Sequence, residues 1–378
     1  MSMANESTPI SVDSESENSY EHLEDGNFSS FAQSLASTVV NQTYENGRRY
    51  HSFREGGEHS SKDMISWSIK ISVCDSAKFW FTVLAILIAY IFPNDEKENN
   101  RLDIVHHMMY LLCDEQLHLA PIGESPQNIL DIGAGTGLWC CQMGDDYPSA
   151  QILGIDLSPI RNTFDATPDN VRFEVDDVES EWTFINNFDY IHSRYMTASI
   201  RDWPKLIERC YSHLMPGGWA EFQDSDARWY SDDDSYNQDS ALGKWLKLFH
   251  EAAYTHGREL APGPKLEGWV RNAGFTDVVT KKLRVPIGKW PRDPKLKTIG
   301  TWNLIQIIEG MEGFSMALFS RVLGWSPDAI QAFVSDVVED LRNPKMHALF
   351  DLYIVYGRKP EKSTSQHSIS GPQNPLTH

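Results

Sequence analysis

Three alternating glycines between an apolar run and a helix-like stretch constrain the fold of this chain more than any other feature. The run Asn128–Ile132 leads directly into Gly133, Gly135 and Gly137, and Leu138–Asp146 follows. Glycines let the backbone approach a ligand closely, and the first N–H groups of the following helix are free to bind it. A strand, a glycine turn and a helix in this order are typical of a nucleotide-binding unit in a parallel sheet. A glycine turn that binds no ligand is the alternative.

The spacing of the glycines separates two classes of nucleotide cofactor. A dinucleotide fingerprint, G-x-G-x-x-G, requires its third glycine where Leu138 stands, so the pattern disfavours a nicotinamide-dependent oxidoreductase. The next apolar strand ends in Asp156, where a carboxylate can accept hydrogen bonds from both ribose hydroxyls. A third strand ends in Asp176 and Asp177, whose side chains can accept from an adenine amino group. Together the strand ends predict a crevice for an adenosine-containing ligand.

Strands and helices alternate along most of the chain, which predicts an α/β fold. We expect a Rossmann-like sheet of about seven strands, with an N-terminal helical lid and inserted C-terminal helices. The predicted organisation is a disordered acidic tail over 1–44, the lid over 45–125 with an atypical apolar insert at 57–91, the Rossmann-like core over 126–290, a helical insertion over 291–345, a closing strand over 346–360 and a disordered tail over 361–378.

Charge and cysteine content narrow the possible partners. Lys and Arg number 33 against 53 Asp and Glu, and the net charge of -20 repels a nucleic-acid backbone, so we expect no nucleic-acid partner. No Lys or Arg occurs from Met1 to Gly47, a composition typical of a disordered tail. The five cysteines lack the spacing of a metal site. We therefore expect reduced thiols, no metal ion, and an intracellular protein in the cytoplasm or nucleus.

One apolar run does not fit this picture. Phe79–Phe92 is a 14-residue run, shorter than the roughly 20 residues that a helix needs to span a bilayer, so we expect no membrane span. A buried helix or strand is one interpretation of the run. For the insert 57–91 as a whole, an extra element that contacts a membrane or a partner and the translation of a retained intron are the others.

Several motifs resemble those of class I S-adenosylmethionine (SAM)-dependent methyltransferases: the glycine turn with its leading Asp131, the strand-end acids, and Leu-Met-Pro-Gly-Gly-Trp at 214–219. More narrowly, the chain resembles the fungal LaeA-like, or UMTA and TAM-domain, methyltransferases in the segments ENGRRYHSF at 45–53, FPNDEKENNRLDIVHH at 92–107 and KWPRDPKLKTIGTWN at 289–303. The resemblance implies a SAM-binding domain, with functions in this family that range from methylation of natural products to global regulation of secondary metabolism.

The resemblance also implies roles for individual residues. Those implied in cofactor binding are Tyr50, Asp131, Gly133, Gly135, Gly137, Asp156, Asp176 and Asp177. The glycines would lie under the methionine portion of SAM, and Asp131 would help to position that turn and the amino end of the cofactor. Asp156 would bind the ribose, Asp177 would lie on the adenine side, and Tyr50 would belong to the lid.

Methyl transfer demands little chemistry from the protein, because the sulfonium of SAM already makes its methyl group electrophilic. A general base is therefore optional. His192, at the end of the fourth strand, is the candidate to accept a proton from a substrate hydroxyl or amine, and a structural or substrate-shaping histidine is the alternative. Arg194 and Tyr195 could contact the substrate or pack the lid.

These observations predict a SAM-dependent methyltransferase that acts on a small-molecule hydroxyl, amine or carboxylate. The sequence His192-Ser-Arg-Tyr195 stands where a DNA-base methyltransferase carries Asp/Asn-Pro-Pro-aromatic, which disfavours DNA methylation. The alternative function is a LaeA-like regulator that binds SAM and acts through protein partners.

Overall fold

The computed structural model describes residues 8–13, 43–50, 92–160 and 167–361. The predicted insert 57–91 lies outside the described residues, as do residues 1–7, 14–42 and 362–378 of the predicted tails. No helix within the described ranges is both long and apolar enough to cross a bilayer.

Seven strands of the described chain form one mixed sheet in the order β5-β4-β3-β6-β7-β9-β8. Their bounds are β3 Asn128–Ile132, β4 Gln151–Asp156, β5 Val171–Val175, β6 Phe188–Arg194, β7 Leu214–Tyr230, β8 Thr276–Pro286 and β9 Leu349–Arg358. The strands β5, β4, β3, β6 and β7 run parallel, and β9 is antiparallel to both of its neighbours. The predicted α/β, Rossmann-like sheet is confirmed.

The order of the strands places a crevice at one edge of the sheet. The strands β4 and β5 lie on one side of β3, whereas β6 and β7 lie on the other. A ligand-binding crevice opens outside the carboxyl ends of parallel strands where the order reverses in this way. The strand order therefore predicts a ligand site at the carboxyl end of β3.

Helices cover both faces of the sheet, as a parallel sheet requires. They are α1 Glu96–Leu112, α2 Leu138–Asp146, α3 Trp203–His213, α4 Ala241–Thr255, α5 Gly263–Asn272, α6 Pro294–Leu323 and α7 Pro327–Leu341. One face packs Leu130 and Ile191 against Leu206 and other residues of α3 and α5. The opposite face packs Ile129 and other residues against α2.

The helical insertion forms a second core beside the carboxyl edge of the sheet. Asp293 caps α6 by accepting from the Leu296 N–H (2.8 Å), and Gly324, with φ of 71°, ends the helix. The middle of α6 packs against α1 and α4, where Trp245 donates to the Ser315 hydroxyl (2.8 Å). Since α1 belongs to the predicted lid, the insertion and the lid share one hydrophobic core.

The N-terminal region contributes two ordered pieces. Residues 8–13, here called the N-terminal strap, lie along the start of the insertion: Val12 bridges Pro291, and Asp13 pairs with Lys297. The strap lies within the predicted tail 1–44, and it is joined to the insertion by backbone pairing and an ion pair. The second piece is a hairpin, β1 Thr43–Glu45 and β2 Arg48–Tyr50.

Candidate functional site

The glycine turn after β3 adopts a backbone that only glycine accommodates easily. Gly133, Gly135 and Gly137 have φ of 73°, 57° and 82°, in the left-handed region. An added Cβ at Gly133 would lie 2.3 Å from Met196 Sδ, and one at Gly137 would lie 2.6 Å from the Phe173 ring. At Gly135 the nearest atom would be 3.4 Å away. The middle of the turn is therefore the part that a ligand can approach.

Asp156, the last residue of β4, lies beside this turn. Its carboxylate accepts hydrogen bonds from the Gly135 N–H (3.0 Å) and the Ser158 N–H (3.0 Å). Burial raises the pKa of Asp156 to about 6 despite these bonds. No described residue supplies Asp156 with a cation within ion-pair distance. Asp156 therefore combines two backbone hydrogen bonds with a position directly beside the open middle of the turn.

The acids after β5 occupy different surroundings. The Asp176 N–H donates to the Asp156 carbonyl (3.0 Å), which places this loop next to Asp156. Asp177 is buried, and its carboxylate accepts from the Glu179 N–H (2.9 Å) and the Ser180 hydroxyl (3.3 Å). Asp176 is partly buried, and burial raises its pKa. Of the two, Asp176 has the carboxylate with fewer local partners in the described structure.

Asp131 and His192 form a pair beneath the turn. They are register partners on β3 and β6, and the His192 Nδ1–H donates to Asp131 Oδ1 (2.8 Å). The Trp139 ring stacks on the imidazole at 4.0 Å, and His192 is 0% exposed. Burial raises the pKa of the Cys140 thiol, which donates to Asp131 Oδ2 (3.3 Å). The sequence places His192 at the crevice, whereas the structure covers it, because β6 continues two residues further to Arg194.

The β1–β2 hairpin approaches the site through a chain of hydrogen bonds that the sequence did not reveal. Arg49 Nε donates to Asn94 Oδ1 (3.0 Å), and Asn94 Nδ2 donates to Ser158 Oγ (2.6 Å). The Ser158 N–H bonds Asp156, as described above. Tyr50 itself is 3% exposed and packs under the Arg321 guanidinium, 5.0 Å from the ring centre. In this structure the hairpin is therefore linked to Asp156 through Arg49, Asn94 and Ser158, and Tyr50 is buried.

The loop after β6 overhangs the turn from the other side. Tyr195 has φ of 56°, an uncommon conformation for a residue with a side chain. Asp224 holds this loop by accepting from the Met196 N–H (2.7 Å) and the Thr197 hydroxyl. Burial raises the pKa of Asp224 to about 6. Backbone held in a sparsely populated region next to a crevice is typical of a ligand site.

Comparison with known proteins identifies relatives of this chain. A family model described as a methyltransferase domain matches residues 104–280. Methyltransferase pytC of Aspergillus terreus is 38% identical over 86% of this chain and 91% of its own length. Secondary metabolism regulator LAE1 of Cochliobolus heterostrophus is 34% identical over 84% and 95%. Probable methyltransferase tdiE of Emericella nidulans is 35% identical over 70% and 82%.

The sequence similarity extends over nearly the whole fold described above. The relatives align over most of their own length, so the similarity includes the lid and the insertion as well as the sheet. The glycine turn and Asp156 lie together at the carboxyl ends of β3 and β4. The chain is a SAM-dependent methyltransferase that belongs to the fungal LaeA-like family.

Proposed function

We propose that the protein transfers the methyl group of SAM to a small molecule of secondary metabolism, at an oxygen, a nitrogen or a carboxylate. The observation that carries the proposal is the Asp156 carboxylate bonded to the Gly135 N–H at the carboxyl edge of the sheet. The similarity to pytC and tdiE, both described as methyltransferases, supports an enzymatic role.

We assign a separate role in methyl transfer to each group of residues at the site. When bound, SAM supplies an electrophilic methyl group, so the protein has to hold, orient and dry the reactants. The glycine turn would hold the methionine portion, Asp156 the ribose, and Asp176 or Asp177 the adenine side. The lid hairpin, with Tyr50, would close the ribose position against water. These assignments follow from the contacts above and are proposals for each residue.

We assign His192 a positioning role in preference to the general-base role predicted from the sequence. Its ring lies beneath Trp139, and its Nδ1–H holds the Asp131 carboxylate at the base of the turn. His192 is 0% exposed, which disfavours direct proton transfer from an acceptor in the crevice.

The cofactor site can be tested by calorimetric titration of SAM and S-adenosylhomocysteine (SAH). We expect the wild-type chain to bind both and Asp156→Asn to bind them far more weakly. Asp189→Asn is the matched control, because Asp189 also accepts from two backbone N–H groups (Gln127, 2.8 Å, and Asn128, 2.9 Å) but at the opposite end of β3. Equal binding by wild type and Asp156→Asn would contradict the assignment.

The LAE1 similarity favours a second candidate function, a SAM-binding regulator that acts through protein partners. Labelled methyl groups from SAM would separate the two: label in a small-molecule extract supports the enzyme, and label confined to protein supports the regulator. Restoration of a metabolite profile by a Gly135→Val variant, whose side chain fills the open turn, would show a role that needs no cofactor.

We also propose that the protein works inside the cell, in the cytoplasm or nucleus, without a nucleic-acid partner. The four described cysteines are buried free thiols, which suits a reducing compartment. The net charge of -20 opposes binding to nucleic acid. Fluorescence microscopy of a tagged chain would locate it.

A further inference from the structure

Arg194 ends β6 directly beside the glycine turn. Ile132 and Ser193 are register partners on β3 and β6, so the residues that follow them, Gly133 and Arg194, lie side by side at the carboxyl edge. The contact between Met196 and Gly133 confirms that the chain after β6 stays against the turn. Arg194 as a residue is partly buried, and burial of its charged group lowers its pKa.

No described carboxylate forms an ion pair with this guanidinium, and the charge of Asp131 acts on it from beyond ion-pair distance. Arg194 Nη2 donates to His106 Nδ1 (2.8 Å), and His106 Nε2 bonds Gln142 Oε1 (2.8 Å). A guanidinium has no acceptor, so the Nδ1 of His106 carries no proton and its Nε2–H donates to Gln142. Burial, and then the charge of Arg194, lower the pKa of His106 to about 3, so the imidazole is neutral at physiological pH.

Other arginines near the site form ion pairs with carboxylates, whereas Arg194 forms none within the described structure. Arg101 bonds the Glu98 carboxylate (2.6 Å), and Arg48 pairs with Asp95. Among the described residues, none brings a carboxylate within 4.0 Å of a nitrogen of Arg194. Desolvation lowers the pKa of Arg194 although the charge of Asp131 raises it, so the described protein compensates this cation only in part. Charged groups at such depth are ordinarily paired, so an anionic ligand is the expected partner.

We propose that Arg194 binds the carboxylate of the methionine portion of SAM. The inference rests on the cofactor site described above, and it adds the residue that recognises the amino-acid end. The glycine turn beside Arg194 is the part of the site that would hold that end of the cofactor. The planar guanidinium matches a carboxylate in shape and charge, and His106, itself held by Gln142, fixes its orientation. A neutral histidine in this position orients Arg194 without competing for its charge.

The test compares two adenosine ligands that differ in the amino-acid portion. SAH carries the carboxylate, whereas 5′-methylthioadenosine lacks the whole amino-acid end. By calorimetric titration, we expect Arg194→Gln to weaken SAH binding tenfold or more and to leave 5′-methylthioadenosine binding unchanged. Arg194→Lys, which keeps the charge and loses the planar fork, should fall between wild type and Arg194→Gln. Arg271→Gln, on the exposed arginine of α5, is the matched control and should bind both ligands as wild type does.

Other results of these titrations would contradict the proposal or the cofactor site. Unchanged SAH affinity in Arg194→Gln would overturn the proposal. Equal weakening of both ligands would also overturn it, because Arg194 would then support the adenosine site or the fold. Binding of 5′-methylthioadenosine by Arg194→Gln at wild-type strength shows that the variant is folded. A wild-type chain that binds neither ligand would instead contradict the cofactor site itself.

Discussion

Asp156 should make cofactor binding depend on pH in the weakly acidic range. Ribose hydroxyls donate to the ionised carboxylate, and burial raises the pKa of Asp156 to about 6. We expect the SAH dissociation constant to be flat above pH 7 and to rise below about pH 6, approaching tenfold per pH unit. Titrations at several pH values measure this slope.

The Asp156→Asn variant is the control for this dependence. It should bind SAH roughly 10- to 100-fold more weakly at pH 7, as expected for loss of a hydrogen bond to a charged group. The SAH dissociation constant of this variant should not rise below pH 6 as that of the wild type does. An identical slope in wild type and variant would assign the titration to another group, such as Asp224, whose pKa burial also raises to about 6.

The same two carboxyls predict the sign of a stability change. A carboxyl whose folded pKa is raised binds more protons in the folded chain than in the unfolded chain between about pH 4 and pH 6. The free energy of unfolding should therefore decrease as pH rises through this window, relative to a variant with Asn at both positions. Denaturant titrations of both proteins at pH 4.5 and pH 7 measure the difference.

Gly137 and Gly268 give a matched pair of glycine substitutions. Gly137 has φ of 82° and an added Cβ would lie 2.6 Å from Phe173, so Gly137→Ala should lower the free energy of unfolding by about 1–3 kcal/mol. Gly268 lies in α5 with open space around it, so Gly268→Ala should stabilise the chain by roughly 0.5–1 kcal/mol. Chemical denaturation checks both signs, and equal effects would refute the argument from conformation.

At the scale of elements, Asp95 joins the hairpin to α1. Its side chain caps α1 by accepting from the Glu98 N–H (3.0 Å), and it pairs with the buried Arg48 of β2. Asp95→Ala should cost about 2–4 kcal/mol, since the helix loses its cap and a buried guanidinium loses its partner. Asp95→Asn keeps a capping side chain and removes the charge, so it should cost less. Thermal or chemical unfolding measures both, and equal losses would mean that only the charge matters.

The sequence predicted those elements whose signals are local. The strand β3, the glycine turn and α2 follow from apolar runs and glycine spacing, and the structure confirms their bounds. The hairpin was missed, although Asn46 and Gly47, with φ of 50° and 79°, form the short turn that joins its strands. The strand β7 continues through Pro216, Gly217 and Gly218, residues typical of a turn, because Gly217 donates to the Lys359 carbonyl (2.8 Å) and Gly218 accepts from Lys359.

The sequence predicted the site residues at the ends of the strands, but it did not predict the side-chain contacts that surround them. Asp131, the glycines and Asp156 come together because parallel strands deliver their carboxyl ends to one edge, which the sequence order implies. The depth of His192 depends on Trp139 of α2, a contact between side chains that no spacing rule encodes. The links from Arg49 through Asn94 to Ser158, and from Arg194 to His106, join segments far apart in sequence for the same reason.

At the scale of the whole molecule, the two ends of the undescribed stretch 51–91 meet. The Asn94 N–H donates to the Arg49 carbonyl (2.8 Å), so the chain leaves and re-enters the fold at one place. A variant that lacks residues 57–91 should therefore fold and bind SAH at least as tightly as the full chain. Calorimetric titration of both proteins measures this, with Asp156→Asn in the shortened chain as the control.

The comparison also separates the interpretations of the insert. Loss of SAH binding on deletion would contradict the prediction and show that the insert is part of the site. Binding only after deletion would show that the insert disrupts the site, as expected for a translated intron. Equal binding would leave the insert as an added element outside the cofactor site.

The N-terminal strap has a consequence for the order of events during synthesis. Asp13 and its partner Lys297 are 284 residues apart, and the strap's other contacts, from Asp232 to Arg292, are also more than 200 residues away. At about 5–20 residues per second, roughly 15–60 s separate the emergence of the two partners from the ribosome. The strap can therefore dock only after the start of the helical insertion, up to Lys297, has been synthesised.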